Sequence, residues 1–426
     1  MRPRAFPATS IVLFLICLMY GITYIDRVNV STAASVFQVE LHLSNTQVGQ
    51  VFSAFAYPYL IFQIIGGWVS DRFGARLALT VAAVIWAGAT LSMGFVGSLH
   101  AMLFARVMLG FGEGATFPTA TRVMSDWTAE GKRAFAQGIT HCSARLGNAL
   151  TPPLVAWLIS VVTWRGSFIL LGIISLFWAV AWVLYFRNDP ADHPRITAAE
   201  LAALPRSAAR AGGMKEPVPW LPLARRMLPV TLVYFCYGWT LWLYLAWIPS
   251  FFFHSYGLDL TKSALFSAGV FFAGVVGDLS GGIVSDRIFA RTGDRNKARR
   301  NLVVGGFLLS LAWMLPILFT HNLTGAAICL SAAFFCSEFT IGPMWAIPMD
   351  IAPRFSGSAS GLMNTGSALA AILSPLVFGF VIDKTGNWEL PFIGSIGLLF
   401  FGAILAFWMK PNEGLAGVAI ENAPAV

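Results

Sequence analysis

The sequence predicts an all-α membrane protein, with twelve transmembrane helices in two six-helix bundles and both termini in the cytoplasm. Three observations lead there. Of 426 residues, 57% are hydrophobic and only 11% are charged, against about 25% charged in soluble domains. Apolar runs of about 20 residues, the length that crosses a bilayer, recur along the whole chain. Lys and Arg collect in alternate connections, and that asymmetry sets orientation.

Taken in order, the runs cover 10–36, 46–69, 77–96, 99–124, 134–161, 166–187, 227–254, 263–284, 301–320, 324–350, 357–382 and 390–409. A long polar segment rich in Pro, Ala, Arg and Glu divides them. The expected plan is an N-terminal bundle over 1–187, a cytoplasmic linker over 188–226, a C-terminal bundle over 227–410 and a cytoplasmic tail over 411–426. With a cytoplasmic N-terminus, 21 of the 28 Lys and Arg side chains lie on that side, and only Arg165, Lys262 and Lys384 lie outside. The net charge of +8 is therefore a topology signal and not a nucleic-acid footprint.

Cysteines 17, 142, 236, 329 and 336 fall inside apolar runs without paired spacing, so neither a disulfide framework nor a metal site is expected. The first apolar run is too long for a signal peptide and carries no small-residue cleavage pattern. No nucleotide-binding loop, HExxH or nucleophile elbow is present, and every loop except the linker is short. An enzyme is not expected, nor is a cofactor.

The first span holds Tyr24, Asp26 and Arg27. Ionisable groups at bilayer depth cost about 3 kcal/mol on insertion scales and mark a substrate or ion pathway by default. Arg27 is the candidate anion holder, since its planar fork matches a carboxylate and keeps its charge in any environment. The bland alternative is a permanent Asp26–Arg27 pair, although adjacent helical residues point about 100° apart. In the fourth span Arg106 and Glu113 share a stripe but are too far apart to pair directly, roughly 10 Å along the axis.

His141, Arg145 and Asn148 share a face of the fifth span. Arg145 either meets a second anionic group on the substrate, as a dicarboxylate or a sulfonated acid would offer, or pairs with Asp26, Glu113 or Glu338. Tyr234, Tyr237 and Tyr244 form a stripe on the seventh span, and Asn364, Ser367 and Ser374 form one on the eleventh. Glu338 reads as a structural partner for an arginine. Three central arginines, Arg27, Arg106 and Arg145, argue against an exporter of lipophilic cations.

A repeat supports the division into halves. Gly67-Trp-Val-Ser-Asp71-Arg72 follows the second span and Gly282-Ile-Val-Ser-Asp286-Arg287 follows the eighth, 215 residues later. Duplicated halves about an axis along the membrane normal are a known transporter plan, with the substrate between them near the midplane.

The stretch Gly67-x-x-x-Asp71-Arg72-Phe73-Gly74-Ala75-Arg76 resembles the loop signature of the major facilitator superfamily. Tyr24-Ile-Asp26-Arg27-Val-Asn29 resembles the first span of its anion:cation symporter family. Arg106-Val-Met-Leu-Gly110-Phe-Gly112-Glu113-Gly114-Ala-Thr-Phe-Pro118 resembles the fourth. That family holds bacterial sugar-acid, tartrate and phthalate permeases, with sialin and vesicular glutamate transporters as animal relatives.

The resemblance implies import of a small organic anion by proton symport with alternating access. It leaves a sodium-coupled symporter, an organic-anion exchanger or an exporter of the same fold as alternatives. Substrate binding is expected of Arg27, Tyr24, Arg106, Arg145, His141, Tyr237, Asn364 and Ser367. Proton coupling is expected of Asp26 and Glu113, and gating of Asp71, Arg72, Arg76 and Asp286. The expected setting is a bacterial inner membrane, with no nucleic-acid partner and a monomer sufficient for the fold.

Overall fold

The computed structural model describes residues 6–43, 45–205, 217–258, 260–320 and 322–415. Over these residues it is helical throughout, without strands. The N-terminal half comprises α1 (Ala8–Glu40), α2 (Asn45–Ala54), α3 (Ala56–Phe73), α4 (Ala75–Met93), α5 (Leu99–Gly114), α6 (Thr116–Trp127) and α7 (Arg133–Tyr185). A short α8 (Ala198–Ala203) lies in the linker. The C-terminal half comprises α9 (Trp220–Tyr256), α10 (Leu260–Thr292), α11 (Asn301–Met314), α12 (Leu323–Glu338), α13 (Ile341–Ile351), α14 (Ser356–Thr385) and α15 (Leu390–Leu405).

Three expected spans are each broken in two, and proline explains every break. Its ring lacks the N–H that would reach back four residues and crowds the carbonyl there. Pro58, Pro118 and Pro343 follow the last residues of α2, α5 and α12 (Ala54, Gly114 and Glu338) by four or five positions. The opposite happens in α7, which is continuous apart from a kink at Thr163, where φ is 74°. This kink separates the expected fifth and sixth spans.

Nine stretches among the described residues are long and apolar enough to cross a membrane. The expected runs 99–124, 134–161 and 357–382 are helical but do not meet that measure in their own right. They are the runs that carry Arg106, Glu113, His141, Arg145, Asn364 and Ser367. Large apolar side chains such as Phe14, Ile61, Phe104, Phe177, Phe272 and Phe401 are exposed around the outside, as a surface bathed in lipid requires.

Helix α7 ends at Tyr185, and α9 starts at Trp220, inside the segment assigned to the linker. Arg225 and Arg226 made its first turns look polar. Arg226 instead donates to the carbonyls of Met409, Lys410 and Glu413, pinning the start of α9 to the end of the C-terminal half. Thr197 and Glu200 form a reciprocal cap at the start of α8, and Glu200 also accepts from the N–H and hydroxyl of Thr9 at the start of α1. The linker thereby defines one end of the molecule, called the linker end below. Part of it, 206–216, and the tail from 416 lie outside the described residues.

Candidate functional site

The centre is built by α1, α5, α6 and α7 from one half, and by α9, α10, α12 and α13 from the other. Arg27 and Glu113 meet there directly, Nε to Oε2 at 2.5 Å, with Glu113 fully buried. The guanidinium is surrounded by the rings of Tyr24, Phe55, Tyr59 and Phe117, with centroids 4.7–5.1 Å from its carbon. Desolvated cation–π contacts are worth about 2 kcal/mol, so the cage holds the cation without consuming its hydrogen bonds. Arg27 Nη2 and Glu113 Oε1 have no hydrogen-bond partner. One edge of the cation and one oxygen of the acid stay available.

Asp26 does not share that space. Its Oδ2 accepts from Ser175 at 3.4 Å, between α1 and the second part of α7, inside the N-terminal bundle. The neighbouring Asn29 faces the same way and accepts from Ser167. Asp26 and Arg27 thus take different partners, and the bland Asp26–Arg27 pair is not formed. Arg106 Nε donates to the Val51 carbonyl at 3.2 Å, and its plane lies over Phe55, the ring that also faces Arg27. That hydrogen bond braces α5 against α2.

Arg145 crosses between the halves. Its Nη2 donates to Glu338 Oε2 at 3.0 Å and to the Tyr237 hydroxyl at 3.2 Å. Tyr237 in turn donates to Glu338 Oε1 at 2.8 Å. Of the partners that the sequence left open for Arg145, Glu338 is the one it takes. Asp278, a buried acid on α10 that sequence reasoning passed over, lies 3.9 Å away. The signal was available, since a lone acid inside an apolar run is the pattern that singled out Asp26 and Glu113.

Between the two arginines lies an aromatic wall. His141 is buried against Tyr20, Phe117 and Trp345, and its Nε2 has no partner. Trp345 donates to the Tyr234 hydroxyl at 2.7 Å. Phe117, Tyr59 and Trp345 were not anticipated, because aromatic residues are frequent in membrane spans and carry no positional signal. Asn364 reaches across the halves to Gln63 at 2.8 Å, whereas Ser367 accepts from Trp242 within the C-terminal bundle. A groove of about 830 Å³ lies elsewhere: Leu265, Phe266, Ile328 and Phe335 line it on α10 and α12. It is apolar and offers nothing to an anion.

At the linker end the halves grip each other twice in the same manner. Asp71 accepts from the backbone N–H groups of Gly357 and Ser358 at the start of α14, at 3.1 and 2.7 Å. Asp286 accepts from those of Ala134 and Phe135 at the start of α7, at 3.3 and 2.7 Å. A carboxylate at a helix N-terminus satisfies orphan donors and complements the helix dipole. Gly67 and Gly282 explain the rest of the motif, because a Cβ on either would collide with the carbonyl of Gly357 or Ala134. Around these caps Arg122 meets Asp71 and Asp126, while Arg299 meets Asp286 and Asp350. Arg133 adds a second ion pair to Asp350. Arg76, also expected at the gate, donates to the Val183 carbonyl within the N-terminal half.

Two pseudo-equivalent helical bundles around a charged, aromatic-walled centre define a membrane transporter, not an enzyme. The sequence matches the Major Facilitator Superfamily over residues 16–375 and 288–422, and the chain belongs to that family. It is 46% identical over 401 residues, 94% of this chain and 93% of the other, to a probable sulfoacetate transporter of Cupriavidus necator. It is 31% identical over 421 residues, 97% of each chain, to a hexuronate transporter of Bacillus subtilis. Among solved structures, FucP in its outward conformation matches with a TM-score of 0.72 at 14% identity, over 94% of this chain and 99% of that one. The protein is accordingly a multi-pass membrane protein.

Proposed function

We propose that this chain imports a small organic anion across a bacterial inner membrane by proton symport and alternating access. The observation that carries this reading is the Arg27–Glu113 pair, an anion-binding cation held by a protonatable acid in one buried contact. An incoming carboxylate or sulfonate takes the free edge of Arg27 and competes with Glu113 for it. Glu113, deprived of its counter-charge in a poorly solvated centre, then takes a proton. A ligand shifts a two-state equilibrium only through differential affinity, and this exchange supplies the difference.

Arg27 and Arg145 flank the aromatic wall, which suits a substrate with two anionic groups. Sulfoacetate, with one sulfonate and one carboxylate, fits that chemistry and the name of the 46% identical relative. Asp26, within the N-terminal bundle, is a positioning and relay group and not a ligand of the substrate. The architecture is read as twelve spans: nine apolar stretches plus the more polar 99–127, 133–162 and 356–385, which line the site. The excess of basic residues supports a cytoplasmic linker end; the double cap there then closes the inner side, and the site opens outward. A monomer suffices for this cycle.

The test is uptake by proteoliposomes of labelled sulfoacetate, hexuronates and aldarates, under a pH gradient or a sodium gradient. Accumulation of an organic anion driven by the pH gradient is expected. Accumulation that follows sodium and ignores pH would overturn the proton-coupled reading.

A further inference from the structure

We propose that Asp278 and Glu338 share one proton and form a second proton-coupling site, seated on the C-terminal bundle and controlled by Arg145 of the N-terminal one. It goes beyond the Arg27–Glu113 exchange and rests on the proton-coupled transport proposed above. Both carboxylates are fully buried. Among the described residues one cation, Arg145, lies within ion-pairing distance of either. Two carboxylates against one guanidinium leave a negative charge without compensation in a site closed to water, and neighbouring acids so placed do not both ionise.

The hydrogen bonds show which acid holds the charge. Glu338 accepts twice from Arg145 and once from Tyr237, as an ionised acceptor should. Asp278 accepts none, with Oδ1 and Oδ2 both unpartnered. Arg145 Nη1 is also unpartnered and buried, free to turn. The other titratable groups around the pair and its arginine are Cys142 and His141 from α7 and Tyr234 and Tyr237 from α9, with Tyr24 from α1 over Arg145. His141 is enclosed by Tyr20, Phe117 and Trp345 and faces the Arg145 cation, which disfavours a charge on it. None of these supplies a second positive charge.

The site spans the interface between the halves. Asp278 packs its backbone carbonyl against Gly138 of α7, and Arg145 is two turns further along the same helix. When a substrate anion draws Arg145 toward the centre, Glu338 loses its counter-charge and gains a proton from the open side. When Arg145 returns after release, that proton leaves to the other side. The proton moves between water and the Glu338 carboxyl, with Asp278 holding its own throughout. Each cycle thus carries one proton more than Glu113 alone provides.

The experiment is the proton-to-substrate ratio for labelled sulfoacetate in proteoliposomes, read from the membrane potential that just balances a fixed pH gradient. It is paired with infrared spectra of the purified protein at neutral pH. Wild type should show a protonated-carboxyl band that Asp278→Asn removes. Glu338→Gln should lower the ratio by one while retaining downhill uptake, whereas Asp278→Asn, which mimics the permanently protonated acid, should leave the ratio unchanged. An unchanged ratio in Glu338→Gln, or a band that survives Asp278→Asn, would overturn the inference. Absence of any pH-driven uptake in wild type would count against the parent reading, and the infrared band then decides this one by itself.

Discussion

Asp71 and Asp286 stand 215 residues apart in the chain and make the same contact from opposite halves. Each leaves its own bundle to cap the first turn of a helix in the other, α14 for Asp71 and α7 for Asp286. The duplication visible in the sequence has thus become a reciprocal clasp. Hydrogen bonds to charged groups are worth about 1.5–3 kcal/mol each, so the clasp weighs heavily in an equilibrium between two states of the transporter.

Replacing either aspartate with asparagine should open the linker end. Loss of about 1.4 kcal/mol shifts a two-state equilibrium tenfold, and each cap exceeds that. Thiol labelling at a cysteine introduced at Ser360, buried behind the α14 cap, should speed up by at least about tenfold in Asp71→Asn. Unchanged labelling would mean that the caps do not hold this state.

Gly67→Ala and Gly282→Ala should act in the same direction by another route. The added methyl meets the carbonyl of Gly357 or Ala134, and overpacking costs about 1–3 kcal/mol. Both bundles can remain intact while their contact weakens. The expected result is a wild-type thermal melt with faster labelling at the linker end; a lowered melt with unchanged labelling would place the strain inside one bundle.

Arg27→Lys should retain the charge and lose the substrate. Lysine has no fork with which to hold Glu113 and an anion together, and its compact ammonium fits the four-ring cage poorly. A loss of about 2–3 kcal/mol, roughly 30–150-fold in affinity, is expected in binding measured by calorimetry. Affinity within about threefold of wild type would show that Arg27 does not contact the anion.

Acid should loosen the linker from α1. Burial pushes the Glu200 carboxyl up, but the N–H groups and hydroxyls of Thr197 and Thr9 pull it further down, to a net value below the usual carboxylate range. A depressed folded value contributes stability above the unfolded pKa of about 4.3, lost as pH falls through the folded value. Hydrogen exchange of residues 197–203 should therefore accelerate below about pH 4, and less so in Glu200→Gln, which starts looser. Equal acid sensitivity in both would rule this carboxylate out.

Much of this site was legible because charge inside an apolar run has few meanings. Arg27, Glu113, Arg145 and Glu338 all stood out that way, and all sit at the centre. Their pairing was not legible. Arg27 and Glu113 are 86 residues apart, and only the tertiary fold brings them together. The brace that Arg106 makes to the Val51 carbonyl was not legible either, since a backbone acceptor leaves no mark in the sequence. Asp26 shows a finer limit: its angle to Arg27 followed from helix geometry, but which of the two faced the centre depended on neighbours. The motif aspartates were visible, while the helix starts that receive them were not, because donors on the backbone leave no mark in the sequence.

The most direct measurement uses Glu113→Gln in proteoliposomes, comparing accumulation of labelled sulfoacetate under a pH gradient with its exchange against preloaded unlabelled anion. The account predicts that accumulation is lost while exchange continues at a reduced rate, because Arg27 still binds the anion but no proton can be carried at Glu113. Accumulation at wild-type levels in this variant would contradict it.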